Sequence, residues 1–262
     1  MTFPIPDDFP TLRQASFRAP TWTTPRVRWT NLLDPELSKW ETYMGVPHRT
    51  VQGLPRGTYQ TDDVRKGVPM GLNSDPKRVI RTAQEGDDTV LLVSGEIYGG
   101  LTTFEDFQNY HFRTLMRWGE RKWEPRLKKP RDSGILYHCH GEHGVAWNSW
   151  KSSLEFQVEE SGLGDFITVK VPKVEAPFNK TAGSRFSQYS PNEPYKPFGG
   201  YLEASVEADL PHGDWNVLDL YVFEDEAIHV VNDKIVMSVR KARNRYGDKL
   251  TRGQIQIQSE GA

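Results

Sequence analysis

Between Tyr110 and Trp118 the side chains alternate without a break. Tyr110, Phe112, Thr114, Met116 and Trp118 fall on one side, His111, Arg113, Leu115 and Arg117 on the other. A period of two cannot form one face of a helix, so such a segment becomes a strand whose apolar side must be covered by another layer. The same reading predicts further strands at 89–94, 134–140, 152–159, 166–171, 200–208, 215–223, 227–231, 234–239 and 254–259. Helical periodicity is confined to 34–40, where Asp34 can cap a short turn with Pro35 in its first position. Val231-Asn232-Asp233-Lys234 reads as a two-residue hairpin turn, because Asn and Asp tolerate positive φ. With 22 Gly, 18 Pro and 11% aromatic residues in 262, composition also favours strands and turns. Two long irregular segments, 45–77 and 172–199, interrupt the pattern, and loops of that length in a compact domain are usually functional. The expected architecture is one all-β, antiparallel β-sandwich with two decorated loops.

Charge narrows the function classes. The 33 basic and 35 acidic side chains leave a net charge of −2, which excludes the general basic field of a non-specific nucleic-acid binder. No run approaches the roughly 20 apolar residues of a membrane-spanning helix. The single cysteine, Cys139, excludes an internal disulfide and a multi-cysteine zinc site, and alternation turns it toward the core. Residues 1–25 carry no charged segment followed by an apolar stretch, so no signal peptide is read there. The compartment is cytoplasmic on that reading, and periplasmic or extracellular if a leader has been removed.

The segment from Arg131 to Gly141 holds the densest chemistry. Alternation places Gly134, Leu136, His138 and His140 on one face, and Ser153, Glu155, Gln157 and Glu159 on the corresponding face of the following strand. If the two strands pair, imidazoles and carboxylates line up, and such a face supplies a proton acceptor and a donor near neutral pH. Trp147 and Trp150, in the connecting loop, can fence that face as indoles do around sugar rings. Glu96 and Tyr98 project from a glycine-permitted turn toward a cleft. The plain alternative is an ordinary solvated outer sheet face. No cofactor is required, although a divalent metal can be entertained with His138, His140 and His143 as ligands. No P-loop, G-x-G-x-x-G or G-x-S-x-G pattern occurs.

Several stretches resemble a known family, the 3-keto-disaccharide hydrolase or 3-keto-glycoside lyase domain. They are Asn31-Leu32-Leu33 with Trp40, 94–101, 107–113, Asp132-Ser133-Gly134-Ile135-Leu136-Tyr137-His138, Ser153-Leu154-Glu155-Phe156-Gln157, Trp215-Asn216-Val217, 229–232 and 253–262. The resemblance is collinear from residue 28 to the end, leaving 1–27 as an irregular extension of a single carbohydrate-active domain. It implies a concanavalin-A-like jelly-roll sandwich. It also implies cleavage of 3-keto-glycosides or 3-keto-disaccharides by β-elimination or net hydrolysis. The sugar's 3-ketone acidifies the C2 proton, so a base, an acid and a carbonyl electrophile suffice. On this reading His138 and Glu155 are catalytic, and Glu96, Tyr98, Arg131, His140, Trp147, Trp150 and Gln157 bind substrate. Relatives carry one more strand beyond this chain's last residues, which implies an unpaired sandwich edge here or a longer chain. A non-catalytic lectin-like module is the alternative, and a glycanase using Glu155 and Glu159 a third reading.

Overall fold

The computed structural model describes residues 29–170 and 173–262. The extension read at 1–27 therefore lies outside the described residues. The chain divides after Leu32, and residues 33–262 form the sandwich. In chain order the strands are β1 (Trp40–Met44), β2 (Gly71–Leu72), β3 (Ile80–Glu85), β4 (Asp88–Val93), β5 (Gly99–Thr103), β6 (Tyr110–Met116), β7 (Asp132–His140), β8 (Ser152–Glu159) and β9 (Phe166–Val169). They continue as β10 (Lys173–Asn179), β11 (Ser187–Tyr189), β12 (Tyr195–Phe198), β13 (Tyr201–Glu203), β14 (Asn216–Phe223), β15 (Glu226–Val231), β16 (Lys234–Arg243) and β17 (Gln254–Ser259). No helix occurs among the described residues, so none is long and apolar enough to cross a membrane.

The first layer runs β2-β1-β5-β17-β7-β8-β9-β13-β11, and the second β10-β16-β15-β14-β6. Pairing is antiparallel throughout except between β11 and β13. One core fills the space between the layers: Ile135, Tyr137, Leu154 and Phe156 pack with Leu218, Leu220, Val236 and Val239. Each such side chain contributes about 1.5–3 kcal/mol by leaving water. His229 lies in this core. It stacks on Phe156 at 4.4 Å, with its ring nitrogens 3.1 Å from the Tyr137 hydroxyl and 3.0 Å from the Gly164 carbonyl. Burial lowers its pKa to about 4, against a smaller opposing effect of the Gly164 backbone.

The alternation read at 110–118 is realised, with Tyr110, Phe112, Met116 and Trp118 packed on the core. Asn232 (φ 49°) and Asp233 (φ 64°) make the expected hairpin turn between β15 and β16. The segment 172–199 is corrected, because β10, β11 and β12 lie within it. Its prolines suggest loop, but Pro177 sits in β10 and Pro197 in the strand β12 that pairs with it. The residues from Asp34 to Lys39 form turns and no helix, and Trp40 opens β1. Asp34 accepts from the Ser38 amide at 2.9 Å, and Leu37 takes a left-handed φ of 54° that stops propagation. The C-terminal strand β17 is interior, hydrogen-bonded to β5 and β7.

Candidate functional site

One row of residues crosses the first layer in register. Glu41 lies opposite Thr102, then follow Gln256, Leu136, Glu155, Ile167 and Tyr201 on successive strands. Directly paired residues share a face, and the intervening Ile135, Tyr137, Leu154 and Phe156 point into the core. The row therefore belongs to the outer face. An ordinary outer face would be wet, yet Asp132, Glu155, Gln157, Gln256 and Gln258 are all buried, Glu155 to 2% exposure. Loops cover them. Trp150 donates to the Gly99 carbonyl at 2.8 Å, and the Lys151 amide donates to Gln256 Oε1 at 3.1 Å.

The covered face carries four carboxyl groups around one guanidinium. Arg126 Nη1 lies 2.6 Å from Asp132 and 3.4 Å from Glu260, and its Nη2 lies 2.6 Å from Glu159. Gln157 Nε2 donates to Asp132 at 3.0 Å. The fourth carboxyl, Glu155, pairs with no cation among the described residues and accepts from the Gln258 side chain. Gly134 keeps the floor bare, since a Cβ there would overlap both Glu155 Oε1 and Gln258 Oε1. One partly buried guanidinium cannot hold three buried carboxylates, Asp132, Glu155 and Glu260, ionised beside the half-buried Glu159. Burial, and then repulsion from Asp132, raises the Glu155 pKa well above the usual carboxyl range. Burial likewise raises Glu260 to about 8, with Arg126 opposing and Glu155 adding to the rise. Asp132 is raised by burial and by Glu260. Two acceptors in the same place, Gln157 Oε1 and Gln258 Oε1, are buried without a partner. Both oxygens can accept a hydrogen bond.

Of the residues read from sequence, Glu155 and Gln157 fall inside this cluster. Tyr98 borders it: burial raises its pKa, with the Glu260 charge second, so its hydroxyl stays protonated. Trp147 is 40% exposed at the rim, with the Arg65 guanidinium 5.7 Å from its ring. Trp150 is only 3% exposed, stacked with Tyr98 at 5.6 Å, and acts as support rather than as an open platform.

The expected placement of His138 is corrected. Register shifts between Tyr137 and His140, a β-bulge in which two residues oppose one, and His138 takes φ 51°. The bulge leaves Cys139 with Leu136, Tyr98 and Trp150 on the outer side, and places His138 on the core side, its ring centroid 5.6 Å from that of Tyr137. Burial, then the nearby His140, lowers the His138 pKa to about 4, against opposing effects of Asp225 and of the Arg252 and Glu224 backbone. His140 turns back to the His138 carbonyl at 2.9 Å. Arg131 is spent on Glu160 at 2.7 Å and the Glu120 carbonyl at 2.8 Å, and Glu96 on Lys77 at 3.3 Å. His143 pairs with Glu41 at 3.0 Å and stacks on Tyr43. His138, His140 and His143 thus do not converge, and among the described residues no group of three His, Cys, Asp or Glu could hold a metal ion.

Arg126, Asp132, Gln258 and Glu260 were not assigned roles from sequence. A signal for two of them existed: Gln254, Gln256, Gln258 and Glu260 alternate in phase on the last strand.

The family model of the 3-keto-alpha-glucoside-1,2-lyase-like domain matches residues 28–262. The chain belongs to this family. As a member of the 3-keto-alpha-glucoside-1,2-lyase-like domain family, it is a carbohydrate-active protein, and its fold is the all-β sandwich described above. No curated protein matches the chain. Solved structures to which it is similar include a glycoside hydrolase family 16 endo-glucanase from Bacteroides ovatus, at 13% identity and TM-score 0.43, covering 88% of this chain and 84% of that one. LamAcat from Zobellia galactanivorans is similar at 11% identity and TM-score 0.37, covering 88% and 83%. The carbohydrate binding module CBM66 from Bacillus subtilis is similar at 8% identity and TM-score 0.38, covering 70% and 85%.

Proposed function

We propose that the buried carboxyl cluster cleaves the glycosidic bond of 3-keto-glycosides by β-elimination, with net hydrolysis where water then adds. The observation that carries this reading is the charge imbalance: three buried carboxyls and a half-buried fourth beside one guanidinium, in a chain of this family. Such a site holds one carboxyl as a proton donor beside another able to accept, which is what an elimination needs. Glu260, next to Arg126 and with a pKa raised to about 8, is the base that removes the C2 proton once ionised. Electrons move from the C2–H bond through the enolate to form the C1–C2 double bond, and the C1–O bond breaks. Glu155, kept neutral by burial, gives its proton to the departing oxygen. The protonated Tyr98 hydroxyl supplies a donor for the 3-keto oxygen, and Gln157 and Gln258 accept from ring hydroxyls.

Incubation with a 3-keto-glucoside and with its unoxidised parent tests the reading. The expected result is release of the leaving group from the ketone alone. Cleavage of the parent instead would indicate a glycanase, and cleavage of neither a binding module. Exchange of the C2 hydrogen with deuterated solvent isolates the first step. Glu155→Gln is expected to keep exchange and lose cleavage, and Glu260→Gln to lose both.

A further inference from the structure

The outer-face row does not end at Glu155. Two strands on, about 10 Å away at the usual strand spacing, stands Tyr201. Its hydroxyl donates to Asp165 at 2.7 Å and to Glu159 at 3.5 Å, and Glu159 is itself held by Arg126. Tyr201 is therefore tied to the carboxyl cluster through an unbroken chain of contacts. Phe186, from the segment before β11, stacks on Tyr201 at 4.4 Å and 27°, and the Arg185 guanidinium sits 4.6 Å from the Phe186 ring. Between Glu155 and this wall lies Ile167, a half-buried apolar side chain on the same face. An apolar floor ending at an aromatic wall with an exposed guanidinium is a surface for a sugar ring: C–H faces lie on the apolar atoms, hydroxyls meet the cation.

The proton assignments orient a substrate over this surface. The base, Glu260, follows β17, and the acid, Glu155, stands on β8 nearer β9. C2 of the keto sugar then faces β17, and the breaking C1–O bond faces β9. Resting on the reaction proposed above, we infer that Tyr201, Phe186 and Arg185 form the subsite for the leaving ring of a 3-keto-disaccharide. The leaving ring lies over Ile167 and against that wall, away from Trp147. The chain thereby binds disaccharides better than small alkyl glycosides of the same keto sugar.

Calorimetric titration of the full chain carrying Glu155→Gln, which removes turnover, compares a 3-keto-disaccharide with methyl 3-keto-glucoside. The disaccharide is expected to bind more tightly by roughly tenfold. Phe186→Ala should erase most of that advantage, and Arg185→Ala, at an exposed position, part of it. Equal affinities, no binding of either sugar, or an advantage erased by Trp147→Ala and untouched by Phe186→Ala and Arg185→Ala would overturn the subsite. Failure of the reaction itself reads separately. If the unmodified chain cleaves neither compound but the disaccharide preference and its loss in Phe186→Ala hold, the subsite stands and the elimination falls.

Discussion

On the proposed mechanism, a single residue, Glu155, separates stability from function. It is buried on the outer face without a cation, so its neutral form is favoured and its ionised form costs the fold. Glu155→Gln should lower cleavage about 10²- to 10⁴-fold, the usual range for a lost acid or base, while raising the melting temperature at alkaline pH. Thermal melts alongside leaving-group assays check both halves, and a variant that is inactive and also less stable would contradict the assignment. The two tryptophans divide differently. Trp150→Ala removes a buried ring and its bond to Gly99, and should cost about 3–5 kcal/mol in denaturant titration. Trp147→Ala removes a rim contact worth on the order of 1 kcal/mol, and should weaken sugar binding with the melting point kept.

Within β7, one inserted residue decides which side chains reach the site. The bulge at His138 gives Leu136 and Cys139 the same face, where strict alternation would have separated them. His138→Asn, which tolerates the left-handed φ, is expected to leave turnover near that of the unmodified chain. Loss of activity comparable to Glu155→Gln would return His138 to the catalytic set. Gly134 acts in the opposite sense by leaving space. Gly134→Ala adds a methyl group where Glu155 and Gln258 lie, and a displacement of about 1 Å there should cost on the order of 10²-fold in turnover. Circular dichroism should stay that of a strand-rich fold.

Across the whole molecule, two sets of buried groups set opposite pH limbs of stability. Glu260 has a folded pKa of about 8 against an ordinary value of 4.5, so the folded chain holds the proton more tightly. Its contribution is full below 4.5 and is lost as pH rises through 8. His138 and His229 are lowered to about 4 from 6.5, so their contribution is present above 6.5 and is lost as pH falls through 4. Melting curves of Glu260→Gln should therefore gain on the unmodified chain toward alkaline pH, and His229→Gln should show a shallower acid limb. Parallel curves for all three proteins would place these groups' titration outside the folding equilibrium.

What could be read without coordinates follows from local periodicity. Alternation over 110–118, 152–159 and 254–259 located β6, β8 and β17, and the outward set Ser153, Glu155 and Gln157 was legible because no bulge interrupts β8. Side-chain direction along an unbroken strand is a property of the backbone alone. His138 was misplaced because a bulge depends on how two strands meet, and β7 is bulged against both β8 and β17. Arg126 and Glu260 lie 134 residues apart in the chain and meet only once the last strand inserts beside β7 and the loop after β6 folds over it. Burial of the polar face is likewise a product of packing. Alternation cannot distinguish a wet outer surface from one roofed by loops, and here the roof converts a row of polar side chains into a site of unequal charge.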